Sequence, residues 1–356
     1  MATRIKDIAD RANVSQATVS LALNSKPGVS AETRERIVSI AKELEYGTFR
    51  KAPRSTAASG TIRFLKIATH GHTVNRDHNV FISDYIDGLA RAARVQGYNL
   101  EISSFRGTTV DEIRSSIEGH DLKGIVILGT ELTSEEIRTF ADLKVPTVIL
   151  DTYFDYLDFD FVDMNNTDAV HKIVTHLVEK GHREIGLVRS SVRTNNFHLR
   201  DKGFREAVAE IGLSVSDGHV FSVDSTYDGA YRDMLALLKG GARLPTALFC
   251  TNDVIAYGVM RALRDRKVTI PGDVSIVGFD DLPSSSLMDP ALTTMKVSKR
   301  QMGELAMELV IRRSLGESTP PVKIVVSGTL VERASVRDIS AVPTRIKRRA
   351  PAESLS

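Results

Sequence analysis

The 356-residue chain has a single cysteine, no tryptophan and few aromatic residues. Cys250 cannot form an intramolecular disulfide, which fits a reducing compartment. No run of about eighteen apolar residues occurs, so a transmembrane helix is not expected. The N-terminus reads as a charged helix without the hydrophobic region of a signal peptide. These absences favour an ordinary globular protein of the cytoplasm.

Signatures of common enzyme classes are also missing. The sequence contains no G-x-G-x-x-G, G-x-x-x-x-G-K-[ST], G-x-S-x-G or H-E-x-x-H motif. His70 and His72, with His78 and Asp77 nearby, could chelate a metal ion on an extended segment. No other segment supplies cysteines or carboxylates at ligand spacing, so a polar pocket is the better interpretation of this loop. We predict no catalytic residue, metal or cofactor.

The formal net charge of +2 is unevenly distributed along the chain. Residues 1–60 hold ten Lys and Arg against six Asp and Glu, a net +4, and residues 337–356 hold five against two, a net +3. The segment between them therefore carries about −5. A basic head on an acidic body directs the head towards phosphate. The head charge is moderate, so useful affinity for a nucleic acid would require a dimer.

The first 46 residues predict three short helices. Apolar residues recur at helical spacing before Asn13, Ser15 can cap a second helix through about Asn24, and Ser30 can cap a third. In the second helix one face packs inward, consisting of Val19, Ala22 and Leu23. The opposite face points outward, consisting of Gln16, Ala17, Ser20 and Leu21. This helix-turn-helix makes DNA the leading partner, the alternative being a folding or protein-binding module.

After residue 61, short apolar runs alternate with amphipathic helical stretches, as in a parallel sheet covered on both faces. The predicted strands are IRFLKIA, YNLEISS, GIVILG, TVIL, DFVDM, EIGLVRS, HVFSV, ALFC and SIVGFD. The helices between them include FISDYIDGLARAARVQG, TDAVHKIVTHLVEKGH, RDKGFREAVAEIG, AYRDMLALLKGG and DVIAYGVMRALRDR. An α/β body therefore follows the helical head.

The segment VSQATVSLALNSKPGVSAETRERI resembles the DNA-binding headpiece of the LacI/GalR family of bacterial transcription regulators. Five later stretches resemble that family's periplasmic-binding-protein-like sensor, in the family's order: TDAVHKIVTHLVEKGHREIGLV, RDKGFREAVAEIGL, PTALFCTNDVIAYGVMRAL, IPGDVSIVGFDD and DPALTTMKVSKRQMGELAMELV. The resemblance covers residues 1–336. It implies a small all-α helix-turn-helix domain followed by an α/β sensor of two doubly wound parallel-sheet subdomains joined by crossover strands.

This organisation predicts four segments: a headpiece at 1–47, a basic linker or hinge at 48–61, an effector-binding and dimerising sensor at 62–340, and a disordered basic tail at 341–356. Family members usually carry a hinge helix whose leucine enters the minor groove. No leucine lies between Leu44 and Leu65. Arg50, Lys51 and Arg54 could still approach phosphates or the minor groove, the alternative being a flexible, solvated linker.

The resemblance assigns base reading to the second helix of the headpiece. Gln16, Ala17 and Leu21 are the predicted base-reading residues, since Gln suits adenine and Ala and Leu suit a thymine methyl. Predicted phosphate contacts are Ser15, Thr18, Ser20, Asn24 and Ser30. Family members often have Arg where Leu21 stands, so a possible bidentate contact to guanine is lost. They often have Gly where Asn13 stands, a mild change because Asn tolerates the left-handed conformation.

The resemblance places an effector cleft at the carboxyl ends of the strands. The residues implied to contact the effector, or to hold its contacts in place, are Arg200, Asn252, Asp253 and Asp280. Their chemistry suits a polyhydroxylated ligand. Each has a structural alternative as a cap, a turn or an inter-subdomain salt bridge, and Asp253 and Asp281 in particular could cap the helices that follow.

Further candidate contacts come from the loop after the first strand and from an aromatic cluster. His70 and His72 lie in a loop that lines the cleft in the family, and Phe81 stands where an aromatic flanks the ligand. Tyr153, with Phe154 and Tyr156, could stack on a sugar face or pack between the subdomains.

These features predict a homodimeric, effector-controlled transcription regulator. The leading interpretation is a repressor that reads a pseudo-palindromic operator. The predicted effector is a sugar or a related metabolite, coupled to DNA binding by about 1–3 kcal/mol through subdomain closure. The tail has no leucine heptads, so a dimer is expected rather than a tetramer. The alternatives are an activator, a ligand-binding transport protein and an enzyme on a doubly wound fold.

Overall fold

The computed structural model describes residues 5–23, 28–43, 59–69 and 79–340. Several predicted functional residues lie outside these ranges: Asn24, Arg50, Lys51, Arg54, His70, His72 and the tail 341–356. The N-terminal helices form one compact unit and the α/β body forms another. Within the described ranges, every helix is too short or too polar to span a bilayer.

The N-terminal unit consists of α1 (Ile5–Ala12), α2 (Gln16–Leu23) and α3 (Ala31–Glu43). Its core contains Ile8, Ala9, Ala12, Val19, Ala22, Ile37 and Ala41. The burial of Val19 and Ala22 confirms two of the three predicted inward positions of α2, and the side chain of the third, Leu23, lies outside the described part. Asn13 ends α1 in the left-handed conformation with φ of 52°, and the amide of Val14 donates to the carbonyl of Ala9 at 3.1 Å. Asn adopts this conformation more readily than most residues, so it can stand at the turn.

The strands of the α/β body, in chain order, are β1 (Thr61–Ala68), β2 (Asn99–Arg106), β3 (Leu122–Leu128), β4 (Thr147–Leu150), β5 (Asp160–Met164), β6 (Ile185–Ser190), β7 (Val220–Val223), β8 (Ala247–Cys250), β9 (Ser275–Asp280), β10 (Thr293–Lys296), β11 (Lys323–Val326) and β12 (Thr329–Val331). The helices are α4 (Asn79–Gln96), α5 (Val110–Ser115), α6 (Ser134–Arg138), α7 (Asn166–Glu179), α8 (Asn195–Glu210), α9 (Tyr227–Lys239), α10 (Asp253–Asp265) and α11 (Lys299–Ser314).

Two six-stranded sheets organise this body. The first has the order β11-β5-β4-β3-β1-β2 and the second β12-β10-β9-β8-β6-β7. Neighbouring strands are parallel except for the antiparallel pair β10 and β12. The chain crosses between the sheets after β5, after β10 and after β11. This is the predicted α/β sensor of two doubly wound subdomains, joined by three crossovers.

Close packing of α4 on α11 sets the position of two cleft residues. A Cβ atom at Gly303 of α11 would collide with the carbonyl oxygen of Tyr85 in α4, and one at Gly88 of α4 with that of Arg300 in α11. Only glycine permits this approach of the two backbones. Tyr85 and Lys299, at the start of α11, are thereby brought to the region between the sheets.

Candidate functional site

A small cavity lies at the carboxyl ends of strands from both subdomains. It encloses about 40 Å³ and is lined by Phe81, Ile82, Thr130, Asp151, Thr194, Asn196, Phe197, Arg200, Asn252 and Asp280. Four predicted effector residues are therefore brought together: Phe81, Arg200, Asn252 and Asp280. Tyr153 does not line this cavity, and its side chain is half-buried against the core of the first subdomain.

Arg200 extends from α8 with nearly its whole side chain buried. Its Nε donates to Asn166 Oδ1 at 2.9 Å and its Nη1 to the carbonyl of Thr251 at 2.8 Å. The guanidinium carbon lies 3.7 Å from the ring centroid of Phe279, a cation–π contact in a desolvated place. These contacts hold the guanidinium at the cavity wall in a fixed orientation.

Asp280 ends β9 with φ of 115°, an unusual backbone conformation for this residue type. Its Oδ1 lies 3.6 Å from Arg200 Nη1 but accepts no hydrogen bond from any described residue. Lys299 Nζ donates to its carbonyl oxygen at 2.7 Å. Burial raises the pKa of the Asp280 carboxyl to about 7, although Arg200 and Lys299 favour the charged form. The cavity therefore contains an acceptor that lacks a full set of donors.

Asp151 is a cleft residue that the sequence analysis missed. It follows β4 in the left-handed conformation, with φ of 67°. The Tyr85 hydroxyl donates to its Oδ1 at 2.7 Å, and the Thr130 hydroxyl donates to its Oδ2. Burial raises the pKa of Asp151, and these two hydrogen bonds oppose that rise. An acidic residue directly after the buried run TVIL was the available signal, since strand ends line such clefts.

Two asparagines at the start of α8 connect the second subdomain to the first. Thr194 caps this helix by accepting a hydrogen bond from the Phe197 amide. Asn196 Nδ2 then donates to the carbonyl of Asp151 at 2.9 Å, and Asn195 Nδ2 to the carbonyl of Tyr153 at 2.6 Å. Both bonds cross the cleft, so they hold the subdomains together around the cavity.

The alternative in which Asp253 and Asp281 cap the helices that follow is wrong. Asn252 is the N-cap of α10, because its Oδ1 accepts from the Ile255 amide at 2.8 Å. Asp253 is instead fully buried and accepts from Leu282 N, Ser285 Oγ and Thr294 Oγ1. Asp281 forms an ion pair with Arg333 at 2.7 Å. Asn252 thus combines a capping role with a place at the cavity wall.

The predicted DNA-reading face of the headpiece is open to solvent at the start of α2. Gln16 and Ala17 are exposed, and Leu21 is half-buried. Ser15 caps α2 through the amide of Thr18 at 3.1 Å, and Ser30 caps α3 through the amide of Thr33 at 3.2 Å. Ser20 and Thr18 are half-buried.

The described ranges contain no group of three or more His, Cys, Asp and Glu side chains placed to hold a metal ion. Burial raises the pKa of the Cys250 thiol and keeps it protonated, which removes its nucleophilic character.

Known proteins match both parts of the chain. A model of the bacterial regulatory proteins of the lacI family matches residues 4–48, and one of a periplasmic binding protein-like domain matches residues 174–336. The ribose operon repressor of Escherichia coli (strain K12) is 31% identical over 343 residues, covering 94% of this chain and 100% of that protein.

Solved structures show the same fold. A complex of the transcriptional regulator CelR with cellobiose has a TM-score of 0.70 at 23% identity, covering 94% of this chain and 99% of its own. The Lac repressor dimer bound to operator and the anti-inducer ONPF has a TM-score of 0.69 at 24% identity, covering 95% and 100%.

A helix-turn-helix unit followed by a two-subdomain sensor defines a class of DNA-binding transcriptional regulators. The chain belongs to the LacI family of these bacterial regulators. It is accordingly a regulator and not an enzyme.

Proposed function

We propose that the protein is a homodimeric repressor whose affinity for a pseudo-palindromic operator is set by a small polyhydroxylated effector in the sensor cleft. The observation that carries this proposal is the cavity at which Arg200, Asp280 and Asn252 meet, at the carboxyl ends of strands from both sheets. Planar Arg and carboxylate groups recognise hydroxyl oxygens and hydroxyl protons respectively.

On the DNA side, Gln16, Ala17 and Leu21 read base edges in the major groove. Ser15, Thr18, Ser20, Asn24 and Ser30 contact phosphates. The amides at the starts of α2 and α3 carry partial positive charge, which supports phosphate contacts by their capping hydroxyls. Arg50, Lys51 and Arg54 add contacts from the linker. A dimer presents two headpieces to two half-sites, as the twofold symmetry of a palindrome requires.

On the effector side, Arg200, Asp280, Asn252 and Phe81 contact the ligand, and His70, His72 and Tyr153 remain candidates at its margin. The first ligand to test is D-ribose, because the ribose operon repressor matches nearly the whole chain. The cavity of about 40 Å³ has room for only a few water molecules. An effector therefore enters only when the subdomains separate, and this movement couples the ligand to DNA binding.

The proposal is tested in two steps with the purified full-length protein. Selection from random duplex DNA at fixed salt should enrich a palindromic site. Titration calorimetry with D-ribose and a panel of other pentoses and hexoses should then find a ligand, which changes the affinity for the selected site about 5- to 150-fold. Arg200→Lys should weaken effector binding and leave DNA binding unchanged. Absence of an enriched site, or a ligand without influence on DNA affinity, would refute the proposal.

A further inference from the structure

The carboxyl end of α2 receives hydrogen bonds from a cation on another helix. The last carbonyls of any helix lack intrahelical partners. The last turn of α2 contains no basic residue of its own. Arg34 of α3 instead donates from Nη1 to the carbonyl of Ala22 at 2.9 Å and to that of Leu21 at 3.4 Å. The guanidinium thus satisfies the end of the helix that carries the proposed base-reading residues.

The place of Arg34 in its own helix favours this contact. Arg34 stands in the first turns of α3, where its amide donates to the carbonyl of Ser30 at 2.9 Å. The positive end of a helix dipole disfavours a cation there, whereas the negative carboxyl end of α2 attracts one. The Ser30 cap and the packing of Ile37 on the headpiece core fix the start of α3 and hence the origin of the arginine side chain.

We propose that Arg34 is a positioning residue for base recognition. It holds the last turn of α2 from α3 and so fixes the direction in which Leu21 projects into the major groove. This inference rests on the proposed base reading by Leu21. It predicts that Arg34 influences the base preference at one position of each half-site, although its own side chain reads no base.

A neighbouring arginine offers a matched control. Arg36, two residues further along α3, donates from Nη2 to the carbonyl of Ala12 at 3.3 Å, at the end of α1. It therefore stabilises a helix end of the headpiece in the same way, but at a helix that carries none of the proposed base-reading residues. Its removal should not alter the base preference attributed to Leu21.

The experiment compares the base preferences of full-length wild type, Leu21→Ala, Arg34→Ala, Arg34→Lys and Arg36→Ala by selection from random duplex DNA. Leu21→Ala identifies the position that Leu21 reads. Arg34→Ala should weaken the preference at that same position about three- to tenfold, the equivalent of one lost hydrogen bond, and leave the other positions unchanged. Arg36→Ala should keep the wild-type preference there.

Salt dependence separates positioning from a direct phosphate contact. If Arg34 bound a phosphate, Arg34→Ala would weaken binding to all sequences alike and lower the slope of log affinity against log salt by about one. We expect an unchanged slope, measured by fluorescence anisotropy on the selected site. A lower slope with unchanged base preference would overturn the inference.

Arg34→Lys distinguishes positioning of Leu21 from a phosphate contact if Arg34→Ala fails to fold. Lysine retains the charge that a phosphate contact needs, but its ammonium nitrogen lies one bond closer to the backbone than the Nη1 that donates to both carbonyls. A weakened preference at the Leu21 position in Arg34→Lys supports positioning, and wild-type preference refutes it. If Leu21→Ala alters no base preference, the proposed base reading by Leu21 fails, and the inference fails with it.

Discussion

Two carboxylates of the cleft are equally buried but differ in their partners. Asp151 accepts hydrogen bonds from Tyr85 and Thr130, whereas Asp280 Oδ1 accepts none from the described residues. Removing a donor from a hydrogen-bonded buried carboxylate costs stability. A buried carboxylate that lacks donors gains hydrogen bonds when ligand hydroxyls bind. The difference favours a structural role for Asp151 and supports the proposed contact of Asp280 with the ligand.

Tyr85→Phe tests the structural role of Asp151. The substitution removes the hydroxyl that lies 2.7 Å from Asp151 Oδ1 and leaves a buried acceptor less satisfied. We expect the sensor to lose about 1–3 kcal/mol of stability, measured by urea unfolding. Tyr98→Phe is the control, because Tyr98 is half-buried and its hydroxyl makes only a long hydrogen bond, of 3.5 Å, with Ser314 Oγ. Equal losses of stability in the two variants would show that the hydrogen bond to Asp151 contributes no more than the weak bond of Tyr98.

At the scale of elements, local patterns located nine strands of the sensor but missed β10, β11 and β12. Eight of the nine contain buried apolar residues, as in the fully buried β8 and β9, whereas β2 contains none and was located by its apolar and polar alternation alone. By contrast, β11 alternates between exposed and half-buried residues, and its Lys323 pairs with Phe161, far away in the sequence. Such a strand is defined by its distant partner and not by its own composition.

The candidate site likewise contains residues that the sequence could supply and residues that depend on distant contacts. The family resemblance supplied Phe81, Arg200, Asn252 and Asp280, which the structure brings together at the cavity. It did not supply Asn196, whose contact with Asp151 depends on how two subdomains close on each other. Contacts of that kind join segments from different sheets, so no local pattern contains them.

The start of α8 provides a prediction at this scale. Asn195 crosses the cleft to the carbonyl of Tyr153 but does not line the cavity, so its loss should ease separation of the subdomains without removing a ligand contact. Asn195→Ala should accelerate amide hydrogen exchange in residues 150–154 about two- to tenfold, the equivalent of one hydrogen bond. His198→Ala, at an exposed position of the same helix, should leave exchange unchanged. Unaltered exchange in Asn195→Ala would exclude a clamping role.

For the whole molecule, the buried acidic groups of the sensor make folding depend on pH. Burial raises the pKa of Asp280 to about 7 and that of Asp253 to about 6, and it raises the pKa of Asp163 as well. An unfolded aspartate titrates near 3.9. Between these values the folded state binds more protons than the unfolded state, so these groups stabilise the fold in acid and lose that contribution as pH rises. His176 and His182 act in the opposite direction, because burial lowers their pKa values.

Asp280→Asn isolates one of these groups from the rest. The amide keeps the shape of the side chain but cannot ionise, so the variant avoids the cost of a buried charge. The groups that face Asp280, namely Arg200, Lys299, Asp253 and Asp151, remain in place. Relative to wild type, the unfolding free energy of Asp280→Asn should increase between pH 4 and pH 7, by at most roughly 4 kcal/mol.

Urea unfolding at several pH values measures this difference, with Asp289→Asn, at an exposed position, as control. A difference that stays constant with pH would mean that Asp280 is ionised throughout, with Arg200 and Lys299 compensating its burial.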